Sequence, residues 1–460
     1  MSTLRSCFNR QRNAANSFKK IKMRLHLNAD ALFAGIREEF AMVPDHRAPN
    51  AQIPLADALM SGFAMFSLKD SSLLAFDERR WEDPVSLHTV YGVGVIPCDS
   101  QMRTILDPIA PSLLRQPFRE VFSQLQRGKA MEKMTWLDGH YLLALDGTGI
   151  FSSEKVSSDY CLKKTKRNGQ VEYYQQMLAG AFVHPHHREV IPTCPEMIVK
   201  QDGTEKNDCE RNAARRYLAD LRREHPHLKI IVIEDALSSN VPHIETLIQH
   251  DLRYILSAKP GDHAFLFSYV DEATQRGETT EFTIADPKKP GIHHCFRFVN
   301  QVPLNKGSQD TPLRVNFLEY WESDADGNIK QRFSWVTDLP ITQENAYDIM
   351  LAGRARWRIE NETFNTLKNQ GYHLEHNFGL GKQHLSAVFA HLMMLAFLVD
   401  QVQQMCCPLF QAARAKCTSK KSLWEKIRAC FHDFLAQSMT AILRRIAGGM
   451  VKVPLPDLIE

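Results

Sequence analysis

Arg356 and Glu360, four positions apart, are the residues whose types and spacing point most directly to chemistry. In Arg354-Ala-Arg356-Trp357-Arg358-Ile359-Glu360-Asn361-Glu362-Thr363-Phe364, a helix at 100° per residue groups Trp357, Phe364, Leu367, Arg356 and Glu360 within roughly 100° of arc. That arc should be buried, with Glu362, Arg358, Asn365 and Asn369 opposite it on a polar face. A carboxylate inside an apolar stripe costs several kcal/mol unless its charge is compensated. The usual compensators are an arginine, here Arg356 one turn upstream, a metal ion, or both. The plainer alternative is an i,i+4 ion pair at the border of an ordinary amphipathic helix.

Two aspartates strengthen the first reading. Asp146 ends the apolar run His140-Tyr-Leu-Leu-Ala-Leu and enters a Gly-rich turn, Gly147-Thr-Gly149. Asp235 follows Ile230-Ile-Val-Ile-Glu234, a run apolar enough for a buried parallel strand. Both acids are expected at carboxyl ends of strands, the edge where open α/β sheets bind ligands. Each has a structural alternative as a cap of a turn or a helix. Glu234 rivals Asp235, but strand alternation turns neighbours to opposite faces, so only one can join Asp146. Two strand-end Asp and one helical Glu are the hard oxygen donors of a two-magnesium phosphodiester site. In such a site the ions lie about 3.5 to 4 Å apart, one activating the attacking oxygen and one stabilising the leaving oxygen.

These motifs resemble those of the DDE transposases of bacterial insertion sequences, whose catalytic domain has the ribonuclease H-like fold. Within them the chain is similar to the group marked by Tyr-x2-Arg-x3-Glu-x6-Lys and a β-rich insertion before the Glu. Arg356-x3-Glu360 fits, and Thr337-Asp338-Leu339-Pro340 ahead of Arg356-Trp-Arg-Ile-Glu360 is close to the group's wording. Gly371-Tyr-His373-Leu-Glu-His376-Asn377-Phe378-Gly379-Leu-Gly381 is similar to the segment after the Glu helix in some members. Gly353 stands in the Tyr slot, and Lys368 falls eight residues after Glu360 instead of seven. In the family that Tyr and Lys contact the DNA backbone near the scissile phosphate.

The resemblance covers about residues 135 to 400. It implies an α/β protein with a ribonuclease H-like catalytic core interrupted by a β-rich insertion, an N-terminal helical domain and C-terminal helices. It implies two Mg²⁺ (or Mn²⁺) ions on Asp146, Asp235 and Glu360, with Arg356 neutralising phosphate or orienting Glu360. Arg103, Arg356, Arg358 and Lys368 become candidate DNA contacts, and the partners become double-stranded terminal inverted repeats and target DNA, bound by a homodimer. Some members capture a flipped base on an aromatic of the insertion; Trp321 and Trp335 are the candidates, with core packing as their alternative. The expected location is cytoplasmic, with the bacterial nucleoid. Two other functions suit the same residues: a nuclease that cuts without joining, and an inactive, transposase-derived DNA-binding protein.

Bulk composition bounds these expectations. At 460 residues, 44% hydrophobic and 24% charged, the chain can form two or three domains with a substantial core. Net charge is only +3, so any cationic DNA surface must be local. Arg5, Arg10, Arg12, Lys19, Lys20, Lys22 and Arg24 occur in the first 29 residues with no acid before Asp30, and Arg211, Arg215, Arg216, Arg222 and Arg223 crowd one helical stretch. Both clusters suit phosphate contact; a basic tail and a solvated helix face are the alternatives. Ten cysteines without a Cys-x2-Cys pair, and no stretch like a signal peptide, suggest reduced thiols of a cytosolic protein. His184-Pro-His186-His187 and His293-His294-Cys295 lack a second ligand pair at zinc spacing. Asp324-Ala-Asp326-Gly327-Asn328 reads as a hairpin turn, and the apolar run Val388 to Val399 as too short and too polar to span a bilayer.

The chain is thereby read as a basic tail (1–27), a helical DNA-binding domain (28–134), the first part of the core (135–253), a β-rich insertion (254–336), the second part of the core (337–400) and a C-terminal helical region (401–460). The insertion, with strands expected from Phe265–Val270 onward, separates Asp235 from Glu360 by about 125 positions, far beyond a normal α/β connection. Its short, turn-punctuated strands are expected to lie beside the active site without extending the central sheet.

Overall fold

The structure, a computed structural model, describes residues 26–200, 206–306 and 312–449. The basic tail with Arg5, Arg10, Arg12, Lys19, Lys20, Lys22 and Arg24 lies outside the described residues. Two compact units emerge: residues 132–364, and a helical unit from residues 1–131 and 365–460.

The strands of unit 132–364 are β1 (Thr135–Trp136), β2 (His140–Ser153), β3 (Leu162–Thr165), β4 (Val171–Val183), β5 (Ile191–Pro192), β6 (Glu196–Ile198), β7 (Ile230–Glu234), β8 (Arg253–Ser257), β9 (Thr280–Ala285), β10 (His293–Pro303), β11 (Arg314–Ser323) and β12 (Ile329–Thr337). They form one mixed sheet in the order β3-β4-β2-β7-β8-β12-β11-β10-β9. Pairing is parallel for β2–β7 and β7–β8, and antiparallel for β2–β4 and β8–β12. All five residues of β7 are buried, as the unbroken apolar run predicts for a parallel strand.

Helices α1 (Lys206–Glu224) and α2 (Val241–Gln249) touch each other and pack on β4 and β8, while α3 (Ala264–Gln275) rests on β10 and α4 (Ala346–Arg354) contacts β7, β8 and β11. Alternation along β2 fixes the faces. A Cβ on Gly147 would lie 2.8 Å from Glu210 of α1, whereas the preceding Asp146 reaches Arg356. Asp146 therefore looks away from α1.

Three expectations are corrected here. Asp146 does not end its strand: β2 runs on to Ser153 against β4, with a bulge between Gly149 and Phe151, and its pairing with β7 is the part that ends before Asp146. Phe265–Val270 is not a strand but part of α3. Its aromatics favour β structure, yet the buried Leu266, Val270 and Ala273 follow helical spacing. The insertion extends the central sheet instead of lying beside it. Trp335, Val336 and Thr337 of β12 pair with Ser257, Leu256 and Ile255 of β8, supplying the hydrogen-bond partners that an exposed β8 edge would lack. The 324–328 segment is a hairpin turn, with Asp324 accepting from the backbone N–H of Asp326 and Asn328 and Gly327 at φ 83°.

Two of the five arginines of α1 tie it to its surroundings. Arg222 donates to the carbonyls of His225, Leu228, His250 and Asp251, and Arg216 pairs with Glu196.

In the helical unit the sequence pattern predicts helices over 28–41, 54–67, about 97–106 and 113–126, and the structure has Ala29–Ala41, Leu55–Leu68, Asp99–Leu106 and Arg115–Arg127. Leu73–Glu82 and Pro84–Tyr91 are additional helices that the sequence pattern does not single out, although Ser72 caps the first and Pro84 opens the second. The apolar run at Val388–Val399 belongs to a longer helix, Leu385–Cys406. At 22 residues it is long and apolar enough to cross a membrane by length and composition alone, so the premise that the run is too short is corrected. Most of it is buried in this unit, so core packing accounts for its apolarity.

That helix is started by Asp107, whose carboxylate accepts from the N–H groups of Lys382, Gln383, His384 and Leu385 at 2.8–3.1 Å. Partial burial raises the pKa of Asp107, but these donors outweigh it and hold the carboxyl below the ordinary value. The Gly379-Leu-Gly381 motif follows from the same contact. Gly379 and Gly381 have φ of 138° and 69°, and side chains there would strike Arg103 and Asp107 respectively.

Candidate active site

The parallel register brings the two aspartates together. β2 and β7 pair through Ala144 and Ile233, so Asp146 and Asp235 each stand two residues beyond the last pair on neighbouring strands. Such strands are about 4.8 Å apart. Asp235 also accepts from Leu237 N at 3.0 Å to cap a short 3-10 turn, Ala236–Ser238, so its capping and candidate site roles coexist. Glu234 turns the other way and is buried, its Oε2 2.6 Å from His243 Nε2 of α2. Burial by itself lowers the His243 pKa, but the adjacent carboxylate reverses the shift and leaves it raised. Glu234 is therefore occupied in holding α2 to the sheet.

Arg356 joins the third acid to the first. Its buried guanidinium places Nη1 2.8 Å from Glu360 Oε1 and 3.3 Å from Asp146 Oδ2. The two carboxylates can be no farther apart than these contacts laid end to end. Burial pushes the Asp146 pKa up to about 7; Arg356 opposes the shift, while Glu360 and Asp235 add to it. Asp146 thus senses both other acids.

The wheel drawn at 100° per residue fails in one respect. Trp357 is 47% exposed, and the Glu360 side chain 36% exposed, so neither belongs to a sealed apolar stripe. The backbone explains this. After α4 the chain turns at Ala355–Arg356, and Ile359–Phe364 forms a π-helical turn. A π turn takes an extra residue, shifting the phase of all later positions. Ile359, Thr363 and Phe364 are buried, while Glu360 stays at the open side within reach of Arg356. Glu362 is not free in solvent: its side chain is half-buried and paired with Arg358 at 3.5 Å.

Asp146, Asp235, Glu360 and Arg356 thus assemble within unit 132–364. Arg358 lies near them in sequence but donates to Pro185 O at 2.9 Å. Lys368 and Arg103 lie in the helical unit, paired with Glu375 and Asp99.

Asp235, Arg356 and Trp357 line a cleft of roughly 620 Å³ whose wall continues through Trp335, Phe333 and Gly353. Gly353 is explained by this wall, because a Cβ there would stand 2.4 Å from the Trp335 indole Nε1. The space a side chain in the Tyr slot would need is filled by Trp335. That ring is only 2% exposed and stacks on Phe333, so packing is its role here; Trp321 is half-buried on β11. The exposed aromatic of the cleft is Trp357, with the Arg356 guanidinium 4.9 Å from its ring. The helical wheel assigns Trp357 to the core, and so hides it.

Among the described residues, no three His, Cys, Asp or Glu side chains are gathered tightly enough to enclose an ion. The histidine motifs serve the fold. His184 packs edge-on to Trp136, with its pKa pushed down to about 4 by burial and the neighbouring His187 and His186, and His294 hydrogen-bonds Tyr320.

No curated protein matches the chain. The family model described as the transposase DDE domain matches residues 138–398, which span every element of this site, from β2 through the Arg356–Glu360 turn. With more than half of its length matched, the chain belongs to the transposase DDE domain family.

Proposed function

We propose that this protein is a DNA transposase of the bacterial insertion-sequence type, cutting at the ends of its element and joining the freed 3′-hydroxyl to target DNA. One observation carries the reading: Arg356 bridges Asp146 and Glu360 while Asp235 stands on the adjacent parallel strand. The strand order β4-β2-β7-β8, with its parallel centre and antiparallel β4, supports a ribonuclease H-like core.

The donor set suits divalent cations of the Mg²⁺ or Mn²⁺ kind: three carboxylates and no soft ligand, with Asp146 pushed up to about 7 first by burial and then by Glu360 and Asp235. Asp146, Asp235 and Glu360 would hold the ions. When bound, these supply an activated water and charge compensation at the phosphorus. The water oxygen bonds to phosphorus and the bond to the 3′-oxygen breaks; one proton of the water ends on that oxygen, giving the 3′-hydroxyl, and the other passes to solvent. In the second step the 3′-hydroxyl replaces water and a target phosphodiester is exchanged for a new one. Arg356, now neutralising two carboxylates, orients Glu360 or turns to a phosphate oxygen once those charges are met. Dimerisation on DNA, DNA reading by the N-terminal helices, and contacts from Arg103, Arg358 and Lys368 belong to the same proposal, as does a location with the nucleoid.

The test uses a plasmid carrying the coding region with its flanking sequence, incubated with the purified chain and Mg²⁺. The expected result is cleavage at fixed positions flanking the gene, abolished by EDTA, followed by joined products. Cleavage without joining would mark a nuclease, and binding without cleavage an inactive descendant.

A further inference from the structure

The cleft beside Asp235 is lined by five cationic side chains, of which Arg297, Arg332, Arg354 and Arg356 are already engaged. Arg297 and Arg332 both clasp the buried Glu319, Arg354 reaches Gln331, and Arg356 holds Asp146 and Glu360. Lys259 differs. Among the described residues its ammonium has no hydrogen-bond or ion-pair partner, and the residue is exposed.

Its backbone is nevertheless fixed. Lys259 begins the turn after β8, the third parallel strand, and its carbonyl accepts from Asp262 N at 3.1 Å and His263 N at 3.0 Å. The turn is tied to the Asp235 loop twice: Ser239 Oγ donates to Ser257 O at 2.5 Å, and His263 Nε2 lies 2.8 Å from Ser239 O. It is tied to β12 by Ala258 N donating to Ser334 O, and Ser334 Oγ donating to Ala258 O, both at 2.9 Å. A fixed main chain with a free cation on the sheet edge that carries Asp146 and Asp235 suits a group that waits for an anion.

We infer that Lys259 grips a phosphate of the DNA strand lying in this cleft, holding it against the acid cluster during strand cleavage. The inference rests on the transposase reading of the site. A lysine suits this role because it meets a phosphate as a compact point charge without needing the bidentate geometry of an arginine.

Two readouts test it on the full chain. Binding of a fluorescent 20-base-pair duplex is followed by anisotropy in EDTA over a range of salt, and nicking of supercoiled plasmid is followed in Mn²⁺. Lys259→Ala should lower the steepness of log affinity against log salt by about 1, the loss of one phosphate contact. It should also slow nicking on the order of tenfold to a hundredfold. Lys259→Arg should recover most of both, and Lys288→Ala, on the β9–β10 turn, should change neither. An unchanged salt slope and nicking rate in Lys259→Ala, with Asp146→Asn inactive, overturns the Lys259 assignment and leaves the site standing. Undiminished nicking in Asp146→Asn removes the site reading, and this inference with it.

Discussion

Asp146→Asn should abolish DNA cleavage and, in the same molecule, make the metal-free protein more stable. The loss of cleavage should be on the order of a thousandfold or more, as for other groups that stabilise transition-state charge. The gain in stability follows from electrostatics. Asp146 ordinarily titrates at 3.8 but in the fold is pushed up to about 7 by burial, then by Glu360 and Asp235 against the opposing Arg356. Below pH 3.8 the group is protonated in both folded and unfolded chains, so the substitution changes little. Between pH 3.8 and about 7 the unfolded chain ionises it more readily, and the native protein loses stability as pH rises. Asparagine does not titrate, so its advantage grows through that window and levels off above it, at about 4 kcal/mol. Thermal unfolding in EDTA at pH 4, 6 and 8 measures this. An equal melting temperature for the two proteins at pH 8, or an advantage that shrinks with pH, would show that burial and the neighbouring acids do not raise the Asp146 carboxyl. Glu234→Gln serves as the contrast: it removes the charge from the buried bond to His243 and should cost stability, since Glu234 faces α2.

A second large effect is expected at Gly353. Gly353→Tyr should damage the protein, because the Trp335 indole lies where even a Cβ would stand 2.4 Å from Nε1. Displacing a ring that is 2% exposed forces repacking against Phe333, and overpacking of this kind costs about 1 to 3 kcal/mol or more. Arg356 is three residues on, and a displacement of about 1 Å in a catalytic group can cost roughly a hundredfold in rate. Nicking assays and thermal melts of Gly353→Tyr, Trp335→Ala and the double variant form a cycle in which the double should be more stable than Gly353→Tyr alone. A Gly353→Tyr protein as stable and as active as the parent would mean that Trp335 does not occupy this space.

β7 and its terminal Asp235 were legible because a fully buried parallel strand leaves an unbroken apolar run. The Arg356–Glu360 pair was legible as i,i+4 neighbours, and the structure adds Asp146 as a third member of that contact. The exposure of Trp357 was hidden because a π turn comes directly after it and nothing in Ile359–Phe364 announces one. Phe265–Val270 misled because Phe and Tyr favour strands, while the deciding Leu266, Val270 and Ala273 register only over a longer window. The continuation of the sheet across β8 and β12 is a long-range pairing, set by which edge each strand meets; local pattern carries no record of it. Lys259 gave no signal either, since a lone lysine after a strand gains meaning only when its neighbours prove to be paired.

If Asp146, Asp235 and Glu360 hold divalent cations, Mn²⁺ should bind the purified chain, as read by calorimetry and by the electron paramagnetic resonance of the free ion, with and without duplex DNA. Saturable binding of two ions per chain is expected in the presence of DNA, lost in Asp146→Asn and in Asp235→Asn, and retained in Glu234→Gln. Undiminished binding in both aspartate variants would contradict this assignment.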